Sequence, residues 1–285
     1  MINILVTGGN GQLAKCISDL ESKTSNLNVI YTDYLELDIT NLEDVNAFYN
    51  RNTFDYCINC AAYTAVDNAE NDEINAAKVN ELGAKNLAIA CRNNNVILIH
   101  ISTDFVFDGN KSSAYNEEDT TNPTGIYGIT KLKGEQAIIN HLESYFIIRT
   151  AWLYSEHGNN FLKTMIRLSK DRTELSVVVD QIGTPTYATD LAATILKVIN
   201  SKSQEFGVYH YSNEGVASWY DFAKAIFDEN KSQISLSPIN TEDYPTPAKR
   251  PYFSVLDKSK IKSNFDIEIP HWRDSLRIAI KRQYE

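Results

Sequence analysis

The feature that most restricts the fold of this chain is a rhythm in its first half, where short β-branched apolar runs alternate with longer amphipathic stretches. The runs fall at Ile2–Thr7, Val29–Thr32, Tyr56–Cys60, Val96–Ser102 and Tyr145–Thr150. Helical patterns lie between them, over Gly11–Leu20, from a start near Thr40, over Asp72–Arg92 and over Tyr127–His141. In "TNLEDVNAF", Thr40 and Glu43 make a capping-box pattern that opens the second of these. Strands apolar at nearly every position are covered on both faces, and helical crossovers are what parallel strands need. The expected class is therefore α/β, with a Rossmann-type doubly wound parallel sheet. After Arg149 the rhythm loosens: helical patterns near Asn160–Ser169, Thr189–Asn200, Trp219–Glu229 and Trp272–Arg282 mix with short strand candidates such as Val208–Tyr211.

Charge and cysteines narrow the function classes. A formal net charge of −10 argues against a nucleic-acid binder, which needs a basic face for phosphates. It leaves room for a small anionic ligand in a locally basic pocket. The opening "MINILVTGG" carries no basic leader, and no apolar run is long enough to cross a bilayer, so a cytoplasmic protein without a membrane partner is expected. Cys57 and Cys60 form a C-x-x-C, but "FDYCINCAAY" reads as a strand, on which residues three apart face opposite ways. No second Cys/His pair completes a metal site. Free thiols and no protein-bound metal are expected, with Cys16 and Cys91 as the other two cysteines.

"ILVTGGNGQLA" places Gly8-x-x-Gly11-x-x-Ala14 directly after the first strand and at the mouth of a helix. Gly8 permits the tight turn, Gly11 lets the backbone approach a pyrophosphate, and Ala14 permits close helix–strand packing. The helix N-terminus adds free N–H groups and a favourable dipole. Any strand-to-helix turn can use glycine; its place at the head of a βαβ chain is what points to a dinucleotide. Asp33 ends the second strand, about 20 residues further on, where an acid can bond the adenosine ribose. The residues after it, Tyr34, Leu35 and Glu36, include no base. An unaccompanied acid repels a ribose phosphate, which favours NADH over NADPH; alternatively Asp33 caps a turn, and Asp38 meets the adenine end.

"NPTGIYGITKLKGEQAI" carries Tyr127 and Lys131 at i, i+4 on one helix face. A phenol ionises near pH 10, and a nearby ammonium brings proton transfer closer to neutral pH. Tyr-x-x-x-Lys alone is common in helices. Here it follows a glycine-rich loop and a strand ending in Ser102-Thr103, and Thr103 can donate to a carbonyl oxygen that Tyr127 protonates. Together the three specify hydride transfer to or from a carbonyl, with Lys131 also able to hold the nicotinamide ribose.

With these residues in place, the chain resembles the extended short-chain dehydrogenase/reductase superfamily, and within it the dTDP-4-dehydrorhamnose reductases. The motifs that carry the resemblance are "TGGNGQLA", "NCAAYTAVDNAE", "STDFVFDG", "YGITKLKGE", "RTAWLY", "GNNFLKTM", "DQIGTPT" and "YPTPAKRPYFSVLD". The rhythm of the chain gives a dinucleotide-binding domain over residues 1–150, with a returning segment near 183–203, and mainly a smaller α/β lobe over 151–285, which the resemblance makes the sugar-nucleotide lobe. The resemblance implies Thr103, Tyr127 and Lys131 as the catalytic set, and Gly8, Gly11, Gln12, Leu13, Ala61, Ala62 and Tyr63 along the cofactor. It puts Thr103, Asp104, Trp152, Asn160 and Arg250 at the sugar nucleotide. A guanidinium fork such as that of Arg250 suits a pyrophosphate, and Trp152 offers either a face for a sugar ring or core packing.

The implied reaction is NAD(P)H-dependent reduction of the C4 ketone of dTDP-4-dehydro-L-rhamnose to dTDP-L-rhamnose, for cell-surface polysaccharide. The alternatives are a reductase of another 4-keto-deoxysugar nucleotide and a non-catalytic dinucleotide-binding regulatory subunit, whose trio need not be intact as it is here. Magnesium and a homodimer are compatible with the resemblance, and no residue pattern calls for either. Two positions depart from the family: Phe105 replaces a usual Tyr, and Ile129 replaces a usual basic residue. Related dehydratases use an Asp-Glu pair after the threonine to eliminate water. Asp104-Phe105 lacks the second acid, so simple reduction is expected.

Overall fold

The computed structural model describes residues 1–21 and 26–284. Six strands form one parallel sheet: β1 (Ile2–Thr7), β2 (Leu27–Thr32), β3 (Tyr56–Asn59), β4 (Ile97–Thr103), β5 (Tyr145–Thr150) and β6 (Gly207–His210). Their spatial order is β6-β5-β4-β3-β1-β2. From β1 the chain runs outward to β2 and then crosses back to β3 on the other side. The reversal opens a crevice at the carboxyl ends of β1 and β3, where ligands bind in doubly wound sheets.

The two faces bury separate cores. On one side, α1 (Gln12–Glu21) and α6 (Ala188–Ser201) cover Ile4, Val6, Ile58 and Ile148. On the other, α2 (Leu42–Arg51), α3 (Ala84–Asn94) and α4 (Ile126–His141) cover Leu5, Cys57, Leu98 and Ile147. Cys57 packs in the second core and Cys60 against the first, so the C-x-x-C pair straddles the sheet, and the cysteines are free. From the second half of the chain, β6 joins this sheet and α6 packs on one of its faces. A third core gathers α5 (Phe161–Asp171), α7 (Trp219–Glu229) and α8 (Trp272–Arg282) with a parallel pair of strands, Glu174–Val178 and Ser235–Ile239.

Two local expectations change. The cap of α2 is Asn41, whose Oδ1 accepts from the N–H groups of Glu43 and Asp44, while Thr40 turns back to Asp38. Asn is the stronger cap of the two, and here it is the residue in the extended conformation. The helical pattern over Asp72–Arg92 is not one helix: Glu73–Ala77 passes through a π-helical segment, Lys78–Gly83, into α3. That segment turns Asn80 inward, where its side chain meets the backbone of Tyr63 and the hydroxyl of Thr130 on α4. Among the described residues no helix is long and apolar enough to cross a membrane.

Candidate active site

The crevice opens into a cleft of about 810 Å³ that runs from the β1–α1 turn to the third core. Gly8 makes the turn with φ +67°, and a Cβ there would stand 2.7 Å from the Ala61 nitrogen. No other residue type fits that close approach at positive φ. Gly8, Gly11, Gln12, Leu13, Ala61 and Ala62 all line this end, as expected of a pyrophosphate cradle. Asp33 and Asp38 line it too, yet both already hold backbone: Asp33 accepts from Asn10 N–H at 2.9 Å and Tyr34 N–H at 2.8 Å, and Asp38 from Thr40 N–H at 2.9 Å. The turn-capping alternative for Asp33 is thus realised, with lone pairs remaining for a ribose. Tyr63 is not brought to the cleft; its hydroxyl donates to Asp72 and its N–H to Asn80. Ile129 does not line the cleft either.

At the centre stand Thr103, closing β4, and Tyr127 and Lys131 in the first turns of α4. Gly128 lets α4 approach: a Cβ there would lie 2.2 Å from the Phe105 carbonyl oxygen. The Phe105 ring meets Tyr127 edge-on, centroids 5.5 Å apart, so an apolar wall stands beside the phenol. Burial pushes the Tyr127 phenol up to about 12, with Thr103 pulling against it and Asp104 adding to it. Lys131 is 1% exposed, and burial draws it down to about 8 against the pull of Glu135 and Cys60. Its ammonium donates to the Ile101 carbonyl at 2.6 Å and lies 3.3 Å from His100 Nε2. The expectation that Lys131 depresses the Tyr127 pKa is therefore not what this geometry delivers: the phenol stays protonated through neutral pH. The Thr103 hydroxyl is turned to Asp104 Oδ1 at 3.1 Å and would have to rotate to meet a ligand.

Asp104 is 2% exposed, and burial lifts its carboxyl to about 6. Its Oδ2, like the Thr150 hydroxyl beside it in the cleft, has no hydrogen-bond partner among the described residues. Buried polar atoms of this kind call for a polar ligand. Trp152 stacks on Trp219 at 3.6 Å and 10°, and both line the cleft. Its φ of +46° is unusual for a bulky residue, and packing against Gly183 holds it there. Asn160 caps α5 through Lys163 N–H and donates to the Ser155 carbonyl while reaching the cleft. Arg250 is gripped by Asp67, Nη1 to Oδ1 at 3.0 Å and Nη2 to Oδ2 at 2.7 Å, and the Ala248 N–H joins the same carboxylate.

Some residues of the site were not anticipated from the chain. Trp219 follows a capping box at Ser218-x-x-Asp221, a legible helix start that says nothing of a neighbour 67 positions earlier. Behind Lys131, a buried line of Thr7, Asn59 and His100 joins three strands. Glu135, one turn further along α4, holds Arg149 of β5 at 2.7 Å and takes the Ser102 hydroxyl.

The family model described as the RmlD substrate binding domain matches residues 2–285. A dTDP-4-dehydrorhamnose reductase of Aggregatibacter actinomycetemcomitans is 42% identical over 287 residues, spanning 97% of this chain and 98% of the relative. The crystal structure of a dTDP-4-dehydrorhamnose reductase from Clostridium acetobutylicum is 44% identical, covers 100% of both chains and superposes with a TM-score of 0.95. That of the Bacillus anthracis dTDP-4-dehydrorhamnose reductase, in complex with NADP, is 39% identical over 99% of this chain and all of its own, again with a TM-score of 0.95. On matches of this extent, the chain belongs to the dTDP-4-dehydrorhamnose reductase family.

Proposed function

We propose that this protein reduces the C4 ketone of dTDP-4-dehydro-L-rhamnose to dTDP-L-rhamnose, using a nicotinamide dinucleotide bound along the β1–α1 cradle. The observation that carries the reading is the convergence, in one cleft, of that cradle, the Thr103–Tyr127–Lys131 set and the Arg250 guanidinium. A bound reduced nicotinamide supplies the hydride. Thr103 orients the carbonyl oxygen, and Tyr127, protonated throughout the neutral range, gives its proton to the new alkoxide. Lys131 holds the ribose. Asp104 Oδ2 and Thr150 take sugar hydroxyls, Trp152 flanks the ring, and Arg250 exchanges Asp67 for the pyrophosphate. Phe105 cannot move a proton, so elimination does not compete.

Asp33, followed in the chain by Tyr34, Leu35 and Glu36 and not by a base, favours NADH over NADPH, whereas the Bacillus anthracis relative is described with NADP. Loss of reduced-nicotinamide absorbance with dTDP-4-keto-L-rhamnose, run with both cofactors, tests the activity and this preference together. Faster turnover with NADPH would reject the Asp33 argument. Tyr127→Phe is expected to keep cofactor binding and lose about two to four orders of magnitude in kcat; near-normal turnover would remove Tyr127 from the mechanism.

A further inference from the structure

The line of polar groups behind Lys131 has one consistent arrangement of protons. Asn59 Oδ1 receives the Thr7 hydroxyl at 2.8 Å and the Ala61 backbone N–H at 3.1 Å. A backbone N–H only donates, so the atom facing Ala61 must be the amide oxygen, and the amide orientation is fixed. The NH2 of Asn59 is then the group 3.0 Å from His100 Nδ1. It too can only donate, so Nδ1 carries a lone pair. His100 is 1% exposed, and both burial and the charge on Lys131 hold it far below the usual histidine range, so the ring is neutral. A neutral imidazole keeps one N–H, which must sit on Nε2, and Nε2 lies 3.3 Å from Lys131 Nζ.

An N–H aimed at an ammonium is repelled, while the same N–H aimed at an amine lone pair is a hydrogen bond. We propose that Asn59 and His100 are positioning residues for Lys131: they aim the His100 Nε2 proton at the lysine nitrogen and so hold it at the edge of giving up its charge. The groups that favour the ammonium are the Ile101 carbonyl, Glu135 one turn along α4 and Cys60 from the end of β3. Glu135 spends most of its charge on Arg149 and Ser102. Burial draws Lys131 down to about 8 against them, and a His100 N–H aimed at its nitrogen acts in the same direction as burial. A lysine so poised gains and loses its proton within the working pH range, and can restore the proton that Tyr127 gives up. The part played in turnover rests on the reductase reading; the tautomer and the lysine titration do not.

The first test is a long-range 1H–15N correlation spectrum of the free protein at neutral pH, with His100 assigned by its loss in His100→Phe. A pyrrole-like Nε2 and pyridine-like Nδ1 are expected; a proton on Nδ1 overturns the proposal. The second is Asn59→Asp, whose carboxylate keeps both acceptor contacts but accepts a hydrogen bond from Nδ1, which moves the ring proton to Nδ1 and leaves a lone pair on Nε2 for the ammonium. The Lys131 midpoint, followed by its 13Cε shift, should rise by at least one pH unit, a tenfold gain in proton affinity. The alkaline limb of kcat/KM for carbonyl reduction should move with it. A flipped tautomer with an unmoved Lys131 midpoint would overturn the positioning role. If Asn59→Asp does not fold, His100→Phe removes the opposing N–H and should move the same midpoint upward, with no movement counting against the role. A protein that reduces no keto-sugar while showing the expected tautomer and titration would reject the reductase reading alone.

Discussion

Lys131 is a residue whose cost to the fold can be measured apart from its use. Its folded pKa is drawn from 10.5 to about 8, so between those values the unfolded chain binds more protons than the folded one. Stability then rises with pH across that window, and below about 8 the full cost is present. Lys131→Met is accordingly expected to raise stability in urea by about 1–3 kcal/mol at pH 7, with the gain shrinking by pH 10, while turnover collapses. A variant less stable than the parent at both pH values would show that the Ile101 contact outweighs desolvation. At this scale the sequence was legible where chemistry is local: Gly8 in a turn, and Tyr127 and Lys131 one helical turn apart. It was not legible for Asn59 and His100, which look like strand residues until β3 and β4 are laid side by side in register. Tyr63 turns to Asp72 and Asn80 instead of lining the cleft, and a motif does not reveal which way a side chain leaves a loop.

Elements determine how the substrate pocket is held before use. Asp67 sits in the short helix Val66–Ala69, and its carboxylate occupies the Arg250 guanidinium and the Ala248 N–H, the contacts a pyrophosphate oxygen would take. Arg250 in turn holds that carboxyl below its usual range, so the pair stays charged at neutral pH. Asp67→Asn should lower KM for the sugar nucleotide a few-fold, the scale of one partly exposed ion pair, with little change in kcat. A raised KM would mean that Asp67 chiefly anchors the 248–250 loop. The strands and long helices were readable because their patterns are periodic. The π-helical segment was not, because the contacts of Asn80 with Tyr63 and α4 that accompany Lys78–Gly83 are tertiary and leave no periodic mark in the chain.

For the whole molecule, the division between halves is less clean in space than in sequence. The apolar rhythm ends at Thr150, yet α6 covers one face of the sheet and β6 forms its edge beside β5. A fragment of residues 1–150 would leave Phe146 and Ile148 bare on that face and β5 as an unpaired edge. It should be insoluble or bind a hydrophobic dye strongly; a monomeric, cooperatively unfolding fragment would show that the sheet is complete without its later strand. The placement of β6 also bears on biogenesis. At about 5–20 residues per second, roughly 3–12 seconds separate synthesis of β5 from synthesis of β6. Through that interval the nascent sheet offers a sticky margin, and the chain is a natural client for whatever shields emerging polypeptides at the ribosome exit.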